Sequence, residues 1–110
     1  LIKSQEQTLL FEDRFHGDKL DLTKWKHEVG HKAFASGKQM CYRPDNVAVN
    51  NGLKITAKPE EVECDKNGTI LQFTSGRIKT LGTFNFTYIE VKAKLSNGKN
   101  LQPALWTKSP

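Results

Sequence analysis

Ile89-Glu90-Val91-Lys92-Ala93-Lys94-Leu95 alternates without a break, with Ile89, Val91, Ala93 and Leu95 on one side of an extended chain and Glu90, Lys92 and Lys94 on the other. A period of two, not 3.6, restricts the fold to β-sheet, and it recurs upstream. Val47-Ala48-Val49 and Leu53-Lys54-Ile55 flank Asn51-Gly52, the strongest short-range hairpin signal. Asn67-Gly68 separates a short polar run ending at Cys64 from Thr69–Thr74, where Ile70 and Gln72 are expected on one face and Leu71 and Phe73 on the other. Phe84-Asn85-Phe86-Thr87-Tyr88 is expected as a strand before the alternating stretch, and Asn97-Gly98 ends it. Strands about every ten residues, with Gly and Asn between them, indicate an all-β sandwich. No repeat, low-complexity segment or linker divides residues 1–110, which read as a single domain.

A domain of 110 residues has a thin stability margin because it buries a modest share of its surface. No apolar run approaches the roughly 18 residues of a membrane helix, so no membrane partner is expected. The net charge of +5 raises the question of nucleic acid, but the 17 Lys and Arg are spread along the chain among 12 acids. A phosphate-binding footprint needs clustering, so nucleic acid is not expected either. An acidic polysaccharide is compatible with the charge.

Cys41 and Cys64 leave no odd thiol and form no C-x-x-C, so a disulfide is expected rather than zinc or redox chemistry. Such a bridge stabilises by about 3 kcal/mol through the unfolded chain. Asn67-Gly68-Thr69 and Asn85-Phe86-Thr87 match the glycosylation acceptor pattern at Asn67 and Asn85. These signals agree on a secreted, extracellular protein. No charged n-region and apolar h-region stand at Leu1, so the start reads as a processed end or a cloning boundary.

His27-Glu28-Val29-Gly30-His31 matches H-E-x-x-H, in which two His on one helical face bind zinc and the Glu acts as general base. Leu22, Trp25, Val29 and Phe34 fall near a helical period, and Asp21 is placed to cap the start. Gly30 disfavours that helix by about 1 kcal/mol, and Phe34 and Gly37 stand where the extended zinc-peptidase pattern has Gly and a third His. The competing reading is two surface histidines beside a strand or turn. There is no G-x-S-x-G elbow, P-loop or G-x-G-x-x-G. Glycoside hydrolysis needs two carboxyl groups across the scissile bond. Glu60, Glu61 and Glu63 follow Pro59 and read as a solvated loop edge, while Asp13, Asp18 and Asp21 read as turn and cap residues. No catalytic residue is assigned within the chain.

Several segments, taken in order, resemble glycoside hydrolase family 16. Leu10-Phe11-Glu12-Asp13-Arg14-Phe15 followed by Leu20-Asp21-Leu22-Thr23-Lys24-Trp25 is similar to that family's opening. Tyr42, Asn46-Val47 and Asn51-Gly52-Leu53-Lys54-Ile55-Thr56-Ala57 are similar to its next segment. Thr74-Ser75-Gly76-Arg77-Ile78, Gly82-Thr83-Phe84-Asn85-Phe86, the alternating stretch and Pro103-Ala104-Leu105-Trp106 complete the resemblance. It implies the N-terminal half of a concanavalin-like jelly roll with a cleft for β-glucan, with the family's E-x-D-x-x-E catalytic strand lying beyond Pro110. It further implies that Asn46 and Arg77 hydrogen-bond sugar hydroxyls and that Trp106 lies close to the cleaved sugar, with Tyr42 beside them. Gln102 replaces the usual Trp of that region, losing a stacking platform but keeping hydrogen bonding. Arg14 stands where many members have an acid associated with calcium, so no cofactor is expected.

Three functions are thereby open. The first is a secreted endo-β-1,3-glucanase-like protein, completed by the remaining half of the domain in the same or another chain. The second is a non-catalytic β-1,3-glucan recognition lectin. The third is a zinc peptidase fragment using His27, Glu28 and His31.

Overall fold

The computed structural model describes residues 8–31, 40–65, 68–98 and 103–108. Among them are seven strands, one 3₁₀ turn and no α-helix. The strands are β1 (Trp25–His27), β2 (Met40–Tyr42), β3 (Val47–Val49), β4 (Leu53–Ile55), β5 (Lys58–Cys64), β6 (Thr69–Ser75) and β7 (Ile78–Thr80), with the 3₁₀ turn at Pro44–Asn46.

Asn51-Gly52 makes the expected hairpin. β3 and β4 pair antiparallel with Val49 opposite Leu53, leaving Asn50, Asn51 and Gly52 as the loop. Asn51 takes φ 49° and Gly52 φ 148°, a conformation that Asn tolerates and Gly adopts without strain. The opening segment docks on this tip: the Asn51 and Gly52 amides donate to the carbonyls of Gly17 and Phe15, at 2.9 and 2.8 Å. A satellite aromatic cluster holds that segment in place. Phe11 meets the Trp25 ring edge-on at 5.4 Å and Phe15 stacks on it at 5.6 Å. The indole Nε1 donates to Asp13 Oδ2 at 2.7 Å, satisfying a donor that burial would otherwise strand. Asp13 Oδ1 accepts from the Phe15 amide and Asp21 Oδ1 from the Thr23 amide, the turn roles expected of these acids.

β5 and β6 flank Asn67-Gly68 as an antiparallel pair, and β2 joins β6 in parallel on its other side. The sequence reading made Glu60, Glu61 and Glu63 a loop, whereas they lie on β5. Pro59 is accommodated because β5 is an outer strand of its sheet, where a missing N–H breaks no central ladder. A register shift between Pro59 and Val62 accompanies a second departure from expectation. Leu71 and Thr74 are the buried positions of β6, and Phe73 is exposed rather than sharing the face of Leu71. Cys41 and Cys64 form the expected disulfide with Cα atoms 5.9 Å apart, joining β2 to β5. With Leu71 and the partly buried Val62 they make the small apolar core.

The strongest alternating segment departs most. No strand forms over 81–98, and Ile89, Val91 and Leu95 are exposed. Among the described residues no strand pairs with this segment, and an unpaired strand lacks the ladder that defines it. The radius of gyration, 16.5 Å, exceeds the roughly 13 Å of a compact domain this size.

Candidate functional site

Strand pairing gathers the site. β1 and β7 pair antiparallel with His27 opposite Ile78. The ladder continues one step further, where the Glu28 amide donates to the Arg77 carbonyl at 2.8 Å. On the other side of the crossing, Tyr42 of β2 lies opposite Ser75 of β6, two residues before Arg77. Tyr42 is anchored by a two-way backbone exchange with Gly30, N to O at 2.9 and 3.0 Å. The ends of β1, β2, β6 and β7 therefore meet around Arg77.

Gly76 makes the approach possible. A Cβ built there would lie 2.6 Å from Val47 Cγ2 and 3.0 Å from Ile55 Cγ2, so the β6–β7 connection carrying Arg77 passes the β3–β4 hairpin too closely for a side chain at Gly76. Arg77 Nε donates to Glu28 Oε1 at 3.1 Å, and the two side chains are only 23% and 12% exposed. The guanidinium carbon lies 4.9 Å from the Trp106 ring centroid and 5.8 Å from that of Tyr42, both within cation–π reach. Trp106 is 63% exposed. The cluster presents a broad apolar ring beside a fixed planar donor. That suits a sugar, which offers C–H faces to aromatic rings and hydroxyls to hydrogen-bonding groups.

Three of the residues named from sequence thus converge: Tyr42, Arg77 and Trp106. Asn46 is placed differently. It is 2% exposed. Its Nδ2 donates to the Thr56 carbonyl at 2.8 Å and to Thr74 Oγ1 at 2.9 Å, engaging both amide protons within the fold. Thr74 Oγ1 in turn donates to Glu60 Oε2 at 2.6 Å. Asn46-Thr74-Glu60 is a polar tie between the 3₁₀ turn, β6 and β5, and Asn46 serves there as scaffold next to the β6–β7 connection. Gln102 and Asn67 lie outside the described residues. Asn85 is described and exposed.

The zinc geometry does not form. His27 ends a strand, not a helix, and Gly30 with φ 107° turns the chain before His31. Glu28 is ion-paired to Arg77. The His31 amide donates to Asp65, and its Nδ1 lies 3.1 Å from the Met40 carbonyl. The helical pattern of Leu22, Trp25 and Val29 fails because Trp25 is held by Asp13 and two Phe rings, which stabilise the extended pairing with β7 instead. Among the described residues no three His, Cys, Asp or Glu side chains gather as a metal site. Among the described residues His27 Nδ1 is buried with no hydrogen-bond partner.

Glu28 is the site residue that sequence placed in the wrong company. Its pairing with Arg77, 49 positions away, follows from strand register and leaves no local signature. Acids on β5 are no substitute. Glu61 and Glu63 alternate with the inward Val62 and Cys64, and Glu63 Oε1 accepts from the Gly68 amide in the β5–β6 turn.

No family model matches the chain. It is 29% identical over 99 residues to a glucan endo-1,3-beta-glucosidase of Cryptopygus antarcticus, covering 87% of this chain and 36% of the relative. It is also 29% identical to glucan endo-1,3-beta-glucosidase A1 of Niallia circulans, covering 89% of this chain and 16% of that one. Among solved structures, the endo-beta-1,3-glucanase of Pyrococcus furiosus superposes with TM-score 0.62 and 30% identity, over 73% of this chain and 33% of that one. The chain fits a laminarinase-like stretch of family 16. The laminarinase catalytic domain of Thermotoga petrophila matches comparably, with TM-score 0.60 over 74% of this chain and 34% of its own. The laminarinase-like stretch is all-β and of the β-glucanase jelly-roll class, and it spans about a third or less of the length of these proteins.

Proposed function

We propose that this laminarinase-like chain contributes the sugar-holding part of an extracellular endo-β-1,3-glucanase. The observation that carries this reading is the meeting of Tyr42 at the end of β2, Arg77 between β6 and β7, and Trp106 from the segment 103–108 on one partly exposed surface. Support comes from relatives named as glucan endo-1,3-beta-glucosidases. Trp106 offers its face to a pyranose ring, and Arg77 donates to hydroxyls from an orientation that Glu28 fixes.

Retaining hydrolysis uses two carboxyl groups about 5 to 5.5 Å apart. The carboxylate at this cluster, Glu28, is ion-paired with Arg77. The cleaving carboxylates are therefore proposed to come from outside residues 1–110, in the same or another chain. The same ion pair favours a second reading, a non-catalytic β-1,3-glucan lectin, because it leaves this region a binding surface. A disulfide between β2 and β5 supports an oxidising, extracellular compartment, and exposed Asn85 is proposed as a glycan acceptor.

The test is to incubate the full-length protein with laminarin and measure both retention on the glucan and release of reducing ends. Binding with release supports the enzyme, and binding without release supports the lectin. Failure to bind laminarin contradicts both.

A further inference from the structure

We propose that Glu28 sets the charge selectivity of the Arg77 surface, neutralising the guanidinium so that the surface accepts uncharged glucan and disfavours polysaccharides bearing sulfate or carboxylate groups. The inference deepens the glucan reading above and rests on it.

The Arg77 guanidinium is a planar fork that matches sulfate and carboxylate oxygens as readily as it meets hydroxyls, so an unpaired Arg at a sugar surface attracts anions. Its surroundings strengthen that tendency. Lys26 of β1 lies directly opposite Lys79 of β7, two residues from Glu28 and Arg77 respectively. Because the Glu28 amide continues the β1–β7 ladder to the Arg77 carbonyl, the two-residue period puts Lys26, Lys79, Glu28 and Arg77 on the same side of the pair. Without Glu28 that side carries three cations in a chain whose net charge is already +5.

Glu28 is well placed to oppose them. Its Oε1 accepts from Arg77 Nε at 3.1 Å, and its side chain is 12% exposed, so its field is screened less than that of a surface acid. It takes the Nε edge of the fork, and the backbone bond at 2.8 Å fixes the spacing of the two residues. The guanidinium stays against the Trp106 and Tyr42 rings with its charge balanced. The arrangement spares a neutral sugar, which needs hydroxyl donors and an aromatic face, and penalises an anionic one, which needs uncompensated charge.

The experiment compares affinities of the full-length protein for laminarin and for sulfated laminarin. The variants are Glu28→Gln, which keeps the shape and an acceptor oxygen, and Glu61→Gln, the same charge change on the exposed outer face of β5. Glu28→Gln is expected to bind sulfated laminarin about three- to tenfold more tightly in low salt, the range expected for removing one charge at this distance in partly screened surroundings. Most of that gain disappears at high salt, and uncharged laminarin shows no such gain, so the ratio of the two affinities moves toward the sulfated polymer. Glu61→Gln leaves the ratio of the two affinities unchanged. The Arg77 Nε–H resonance reports on the pair independently of any sugar, and is expected to shift and exchange faster in Glu28→Gln. Equal loss of both ligands in Glu28→Gln would mean that Glu28 only supports the fold, and an unchanged ratio would mean that it does not set selectivity; either overturns the proposal while the glucan reading stands. If the unsubstituted protein binds no laminarin, the glucan reading fails and takes this selectivity with it.

Discussion

At the scale of single residues, crowding and polar ties decide what can change. Gly76→Ala puts a methyl group 2.6 Å from Val47 Cγ2, so it should destabilise by about 1–3 kcal/mol, seen as a lower urea midpoint at unchanged slope. Thr74→Val removes the hydroxyl that accepts from Asn46 and donates to Glu60, leaving one amide proton of the buried Asn46 without its partner. A loss of about 1–3 kcal/mol is expected, against near neutrality for Thr→Val at an exposed site. Asp21 offers a pH test. The Thr23 hydroxyl and then its amide donate to the Asp21 carboxylate and hold its pKa below the ordinary value. A depressed folded pKa means stability that is present above the unfolded pKa and lost as pH falls through the folded one. Wild type should therefore exceed Asp21→Asn in stability at neutral pH, with the gap closing toward pH 2. Equal gaps at both ends would contradict the turn geometry. The company of Tyr42, Arg77 and Trp106 could be expected from the sequence because each stands in an ordered series of segments, and the three side chains do lie together. Glu28 was not, because its partner is fixed by the register of β1 against β7.

At the scale of elements, local chemistry was readable where the signal lies within the element and misleading where it lies outside. The β3–β4 hairpin follows from Asn51-Gly52 alone, since the turn dictates both strands. β5 was hidden because Pro59 and three glutamates are loop-like in composition; only its outer position beside β6 makes them tolerable in a strand. The stretch Ile89–Leu95 failed in the opposite sense, since alternation specifies a face to bury but not the neighbour that buries it. The disulfide is the element-level device with the clearest consequence. It joins β2, which carries Tyr42, to β5, and closes a loop with a sequence separation of 23. Reduction should cost about 3 kcal/mol of stability and weaken sugar binding by loosening Tyr42 against Arg77. Thiol titration with and without reductant, followed by thermal unfolding, checks the first part. Two free thiols in protein prepared without reductant would contradict the structure and remove the main support for an extracellular site of action.

At the scale of the whole molecule, the chain is long for its mass, 62 Å by 29 Å by 29 Å, and leaves Phe86, Tyr88, Ile89, Val91, Leu95 and Leu105 exposed. So much exposed apolar surface points to stability that depends on further polypeptide. Residues 1–110 in isolation are expected to bind a hydrophobic dye and to unfold without a sharp transition, and a cooperative two-state transition for the monomer would contradict this. The central claim, that Arg77 and Trp106 form a glucan-binding surface, is tested most directly by calorimetric titration of laminarin into the full-length protein and its Trp106→Ala variant. A loss of about 1–3 kcal/mol in binding is expected, roughly five- to 150-fold in Kd, with unfolding stability little changed because Trp106 is mostly exposed. Laminarin affinity that survives Trp106→Ala undiminished would contradict it.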